Sequence, residues 1–234
     1  METNRMQTRL TKMLLQQGAS AVGYAEISSL SAGIRYGLDY AVSIVTALDA
    51  AIVGQIGGGP DHAYYGEYRR ANTLLAKLGR CGARFLEEHR YTAIPLPPTG
   101  EGFDPHTFST ALPHKTVATR AGIGWIGKSA LLITEQYGAS LRLTTILTDA
   151  VLEKAAPVNE SKCGDCAACV KKCPGQAILD RNWEAGMSRD LFFDAGACYR
   201  TVRAYAAELE VDATVCGICI AACPWTKRYI SRSQ

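Results

Sequence analysis

Apolar residues recur at helical spacing from the start of the chain. Met6, Leu10, Met13 and Leu14 line one face of a helix predicted over residues 3–17, with Gly18 as its stop. Ala21 to Ile27 and Tyr40 to Leu48 are apolar runs read as strands, the second a buried one. Gly57-Gly58-Gly59-Pro60 breaks the pattern. Helical spacing then returns from about Tyr65 to His89, with Leu74, Leu75, Leu78, Phe85 and Leu86 facing inward. Tyr91 to Leu96 reads as a strand ending at Pro97-Pro98, and residues 98–113 form a Gly-, Pro- and Thr-rich loop of the kind that lines sites. Lys115 to Ala121 is helix-like. Ser129 to Thr134 and Leu141 to Thr148 read as two strands around a turn at Tyr137-Gly138. Residues 157–162 are the expected linker. The order predicts an α+β cofactor and substrate domain over residues 1–156, then a small ferredoxin-like domain over 157–234.

Composition narrows the class only a little. The chain has 234 residues and is 47% apolar, enough for a real core. A net charge of +3 neither calls for nor excludes nucleic acid. The longest apolar candidate, Ala41 to Gly54, is interrupted by Asp49 and too short to cross a bilayer, so no membrane partner is expected. No signal peptide opens the sequence, which points to a cytoplasmic protein.

The cysteines change the picture. Eight of the nine lie in the last third, as Cys163-x2-Cys166-x2-Cys169-x3-Cys173-Pro174, a lone Cys198, and Cys216-x2-Cys219-x3-Cys223-Pro224. In two-cluster ferredoxins the first three cysteines of such a run hold one [4Fe–4S] cage and the fourth, before Pro, reaches the other. That rule gives Cys163, Cys166, Cys169 and Cys223 to one cluster, and Cys173, Cys216 and Cys219 to the second, with Cys198 as its fourth ligand. Disulfides would need an oxidising compartment. Paired zinc knuckles would use eight thiols but do not need this spacing. Cys81 falls in a helical pattern and reads as a small buried hydrophobe.

Gly122-Ile123-Gly124-Trp125-Ile126-Gly127-Lys128-Ser129 satisfies two nucleotide motifs at once, the phosphate loop and the dinucleotide fingerprint. Both need a strand before the glycines and a helix after them. Here the predicted order is reversed, and Trp125 and Ile126 would crowd a phosphate. Two readings remain: a tight helix-to-strand turn, or a turn where backbone approaches a large flat cofactor. On the second reading Gly122, Gly124, Trp125, Gly127 and Lys128 would contact that cofactor.

The cysteine order, together with the turn Ala121 to Lys128 and the segment Leu75-Ala76-Lys77-Leu78-Gly79, resembles the epoxyqueuosine reductase family and more distantly the reductive dehalogenases. The resemblance implies a nitroreductase-like α+β domain and a cobalamin (corrinoid) held between it and two [4Fe–4S] clusters that feed it electrons. It departs in three places. The family's acid upstream of the glycine turn has no counterpart in Phe108-Ser109-Thr110, and its Tyr-His pair stands here as Tyr68-Arg69. Eleven residues follow Cys223, where the family continues into a helical region that grips tRNA, so tRNA is not carried over as a substrate.

A reductive step also needs a proton. His114, His106 and Tyr68 are the candidate donors, and Lys115 could bind a corrinoid amide or a phosphate. Lys162, Lys171 and Lys172 surround the first cysteine run and could attract an acidic electron donor of ferredoxin or flavodoxin type. Two functions follow: a cobalamin-dependent reductase of a small or nucleoside-like substrate, or a non-catalytic electron carrier that reduces cobalt for a partner. An ATP-coupled activator would rest on the rejected phosphate loop alone.

Overall fold

The computed structural model describes residues 2–98 and 103–234, so residues 99–102 of the long loop lie outside the described residues. The chain forms two compact units that interleave in sequence. One comprises residues 1–47, 70–123 and 142–158; the other comprises 48–69, 124–141 and 159–234. The divisions fall at 47/48, 69/70, 123/124, 141/142 and 158/159, so no single boundary separates the units. Two upstream segments, 48–69 and 124–141, count with the cysteine-rich unit instead.

The first unit is built on a four-stranded sheet of order β1-β2-β6-β3, with β1 Ala21–Glu26, β2 Tyr40–Ala47, β6 Leu141–Thr148 and β3 Ala93–Leu96. β1 runs antiparallel to β2, with Tyr24 opposite Val42, and β3 antiparallel to β6, with Pro95 opposite Ile146. Pro95 has no N–H to give a ladder, and β3 is an edge strand, where that costs nothing. Alternating residues point to opposite faces. Val42, Ile44 and Ile146 are buried against Leu10 and Leu14 of α1 (Glu2–Gln16) and Leu75, Leu78 and Leu86 of α3 (His62–Glu88). Ala41 and Leu147 are buried with Val117 and Ala121, at α4 (His114–Arg120) and its C-cap. The helix periodicities are thus met by helices that cover both faces of a mostly apolar sheet. Cys81 sits on α3 as expected, though only partly buried.

The second unit holds little sheet. Only Leu132–Ile133 (β5) of the segment Ser129 to Thr134 is strand, and it pairs with Trp125–Ile126 (β4), not with residues 141–148. The reason is local. Gly127 N–H donates to the Leu131 carbonyl at 2.9 Å and Ala130 N–H to the Gly127 carbonyl at 2.9 Å, which folds the chain back at once. The Tyr137-Gly138 turn is present, closed by two hydrogen bonds of 3.0 Å between Thr134 and Gly138. The remaining elements are α2 (Ala50–Gly54), α5 (Ala168–Lys172), α6 (Ala195–Glu208), α7 (Ile218–Ala222) and α8 (Pro224–Ser233). α6 was not read from the sequence, although Asp194 marks its start by accepting from Ala197 N–H at 2.8 Å. Ala139 N–H donates to the buried Thr226 hydroxyl at 3.0 Å, and the Tyr229 hydroxyl donates to the Leu48 carbonyl at 2.9 Å. These bonds fasten α8 to the upstream segments of the unit. Among the described residues no helix is long and apolar enough to cross a membrane.

Candidate metal centre

All eight clustered cysteines lie in the second unit, and short helices set their spacing. Cys169 is on α5, whose C-cap is Cys173; Cys219 is on α7, whose C-cap is Cys223. Each of these one-turn helices thus presents one cysteine of each predicted quartet. Cys198 projects from the first turn of α6.

The thiols lie close enough together to oppose one another's charging. Burial, with Cys163, Cys223 and Cys166 adding, pushes the Cys169 thiol up to about 11. Burial pushes Cys198 up to about 11, with Cys216 and Cys173 adding. Burial raises Cys219 well above the ordinary value, with Cys216, Cys198, Cys169 and Cys173 adding in that order. Cys223 is raised by burial and by Cys163, against backbone N–H groups of Thr226 and Trp225 that lower it. Cys219 is thus influenced by Cys169 as well as by Cys173, Cys198 and Cys216, so the eight thiols form one crowded set. Eight partly or fully buried thiols that repel one another as anions suit a group that brings positive charge. Among the described residues, no three Cys, His, Asp or Glu side chains converge on a point fit for one metal ion. A mononuclear zinc site gathers its sulfurs at about 2.3 Å from one centre, whereas a cage spreads them. Two cubanes use eight thiolates, the number this unit supplies. Backbone donors already point at sulfur: Ala177 N–H lies 3.4 Å from Cys173 Sγ, and Ile218 N–H bonds to Cys216.

The glycine turn lies beside this set. Gly127 approaches the first cysteine so closely that an added Cβ would sit 3.4 Å from Cys163 Sγ. Trp125 is 1% exposed and meets Trp225 edge-on, at 5.2 Å between ring centres. Lys162 Nζ stands 5.4 Å from the Trp125 ring centre and the Arg228 guanidinium 4.7 Å from that of Trp225. The Trp125 Nε1–H is buried and has no partner among the described residues. The other expected cofactor contacts are taken up by the protein itself. A Cβ on Gly124 would lie under 3.0 Å from the Ile133 carbonyl oxygen, and one on Gly127 would meet the Ile133 side chain. Gly122, at φ +68°, turns beneath the Ala156 carbonyl. Lys128 is 4% exposed and donates to Asp180 Oδ1 at 2.8 Å. The turn needs its glycines for packing, and of the group only the Trp125 N–H remains open to a ligand.

The candidate proton donors are divided between the units. His114 opens α4 in the first unit. Its Nε2 donates to the Pro97 carbonyl at 3.0 Å, and its Nδ1 accepts from the Thr145 hydroxyl at 2.9 Å. Burial holds its pKa below the usual imidazole range, opposed by the Pro97 bond and helped by Arg142. The ring is a neutral strut between β3, β6 and α4. It also borders a cavity of about 310 Å³ with Tyr36, Leu96 and Leu112. Lys115 follows it, half-buried. His106 is exposed on the loop, with its own N–H turned onto Asp104 at 2.8 Å. Tyr68 is half-buried on the part of α3 that counts with the second unit.

Residues 162–226 match the family model for a 4Fe-4S double cluster binding domain. Over 125 residues, 49% of this chain, it is 34% identical to an epoxyqueuosine reductase of Synechocystis sp., covering 40% of that protein. Over 211 residues, 86% of this chain, it is 28% identical to one from Synechococcus sp., covering 57%. Over these spans the chain is similar to epoxyqueuosine reductases. It spans about half the length of these curated relatives. Solved structures extend the likeness to the fold. One is an epoxyqueuosine reductase with an epoxyqueuosine-modified tRNA-Tyr stem loop, with a TM-score of 0.66, 17% identity and coverage of 96% of this chain and 66% of the other. Another is a catabolic reductive dehalogenase, with a TM-score of 0.69, 16% identity and coverage of 93% and 31%. The chain is thus a mixed helix-and-sheet protein with a double-cluster iron–sulfur region. Sequence reading missed Asp180, the partner of Lys128, and Trp225, the partner of Trp125. The second had a signal, since it directly follows Cys223-Pro224.

Proposed function

We propose that this protein is a two-cluster iron–sulfur oxidoreductase of the epoxyqueuosine reductase kind, reducing a small or nucleoside-like substrate with electrons from an external carrier. The match of residues 162–226, with all eight clustered cysteines, to a 4Fe-4S double cluster binding domain carries the reading. Bound there, two [4Fe–4S] clusters would take up and pass on electrons one at a time. The chain's own part is to hold the thiols on α5, α6 and α7, and to aim backbone N–H groups of Ala177, Ile218, Trp225 and Thr226 at sulfur. Such hydrogen bonds favour the more negative, reduced state of a cluster. Lys128 and Asp180 tie the glycine turn to the bend that follows the Ile178–Phe193 bridge.

In this reading cobalamin would be the group that relays electrons from the clusters to the substrate. Its support is likeness: one structural relative, with a TM-score of 0.70 and 16% identity, is described through B12-dependent dehalogenation. The glycine turn does not add to that support, since its glycines are filled by Ile133 and Ala156. Trp125 offers one N–H to a cofactor amide or to a cluster atom. The nitroreductase-like character of the first unit belongs to the same inference. Titrating anaerobically prepared protein with cobalamin tests it: a saturable change in the cobalt spectrum is expected, and an unchanged spectrum removes the corrinoid.

One observation favours the second reading, an electron carrier serving a partner enzyme. His114, the leading proton donor, has both ring nitrogens committed to the protein. Single-turnover reduction of a substrate by the isolated, reduced protein would exclude it.

A further inference from the structure

The second unit carries a groove of about 530 Å³ whose floor and wall include Ile56, Ile218, Ala221 and Ile230, and whose titratable side chains are Lys171, Lys172 and Lys227. Lys172 and Lys227 are exposed, Lys171 is exposed beside them, and no acidic side chain lines the groove. Its walls include α5 and α7, the two one-turn helices that carry Cys169 and Cys219 and end on Cys173 and Cys223. Each wall therefore holds a thiol from both quartets. Lys171 and Lys172 fall between Cys169 and Cys173 in sequence, and Lys227 lies one helical turn after Cys223.

We propose that this groove is the docking site of an acidic one-electron carrier protein, and that electrons enter the clusters across α5 and α7. The inference rests on the two-cluster reading above. In each encounter the reduced carrier loses one electron and one oxidised cluster gains it; no bond or proton need move. An apolar centre inside a charged rim is the make-up of a transient protein interface. Electron-transfer encounters use small ones, below about 1,200 Å². A rim of one sign speeds the approach of an oppositely charged partner and is screened by salt. The lining favours protein over RNA, because it contains no arginine and no aromatic ring on which an unpaired base could stack.

The test uses full-length protein with its iron–sulfur content reconstituted. Parent and the K171E/K172E/K227E variant are mixed in stopped flow with a reduced plant-type [2Fe–2S] ferredoxin of net negative charge. Both are also reduced with photoreduced 5-deazariboflavin, a neutral donor. At low salt the variant's bimolecular rate with ferredoxin should fall at least tenfold. The parent's rate should drop steeply with added salt and the variant's should not, and the deazaflavin rates should agree within twofold. Should the triple reversal lose iron, the milder K171Q/K172Q/K227Q variant should slow the ferredoxin reaction about threefold with unchanged iron content. Equal ferredoxin rates in parent and variant overturn the docking site while leaving the two-cluster reading intact. So does a variant that keeps its ferredoxin rate but loses affinity for a tRNA stem loop, which would make the groove an RNA site. Protein in which deazaflavin bleaches no iron–sulfur absorbance ends the two-cluster reading, and the docking site with it.

Discussion

Replacing Gly124 with alanine separates two explanations of the glycine turn. If the glycine is there to let a cofactor approach, G124A should leave the stability of cofactor-free protein alone. The structure says otherwise. The new Cβ would lie under 3.0 Å from the Ile133 carbonyl oxygen, 3.0 Å from its carbon and 3.3 Å from Thr134 Cγ2. Two of those neighbours are backbone, so no rotamer change relieves them. β5 would have to shift away from β4, disturbing the Trp125–Ile133 pair in a ladder of only two pairs. Overpacking of this kind costs about 1–3 kcal/mol, and each strained or broken hydrogen bond adds about 1 kcal/mol. Together these give roughly 2–4 kcal/mol, or on the order of 10 °C in melting temperature for a chain of this size. Gly33 is the matched control: a Cβ added there would meet nothing within 4 Å, and G33A should move the melt little. The assay is thermal unfolding followed by circular dichroism on anaerobic, cluster-loaded protein without cobalamin, at one scan rate. A G124A melt within about 1 °C of the parent's would refute the packing argument.

His114 should make the first unit acid-sensitive. Its folded pKa lies below the unfolded value of about 6.5. The unfolded chain therefore takes up a proton that the fold refuses, and stability falls as pH drops below that value towards the folded pKa. The melt of H114Q should fall less than the parent's between about pH 7 and 5; parallel slopes would contradict the buried, neutral ring. Asp180 and Lys128 should respond unequally. Lys128 is buried and Asp180 is 52% exposed, so D180A strands an ammonium, at about 1–2 kcal/mol after solvent screening. K128M should be nearly neutral in urea unfolding, and the reverse order would sink this assignment. Replacing the lone Cys198 by alanine should remove one cluster only, leaving about half the iron of the parent. Full iron in C198A would require another fourth ligand for the second quartet.

Much of the fold was legible because its signals are local. The spacing of Leu10 and Leu14, and of Leu75, Leu78 and Leu86, led directly to α1 and α3, and β6 spans the predicted residues. The double-cluster region was legible because cage geometry dictates the spacing of its cysteines in sequence. What was hidden depended on distant partners. Residues 129–134 are largely apolar, yet only two of them are strand, since the fold-back at Gly127 leaves no room for more. The interleaved units could not be read from one linker, because nothing in residues 48–69 announces that they count with the cysteines. The glycines invited a cofactor reading, whereas their close neighbours, Ile133 and Ala156, come from later in the chain. Lys128 looked like a ligand for the same reason: its partner Asp180 is 52 residues away.

The most direct test is the iron, acid-labile sulfide and zinc content of anaerobically purified protein. Two cubanes require about eight iron and eight sulfide per chain, with zinc near background. About two zinc per chain with no acid-labile sulfide would contradict the account at its base.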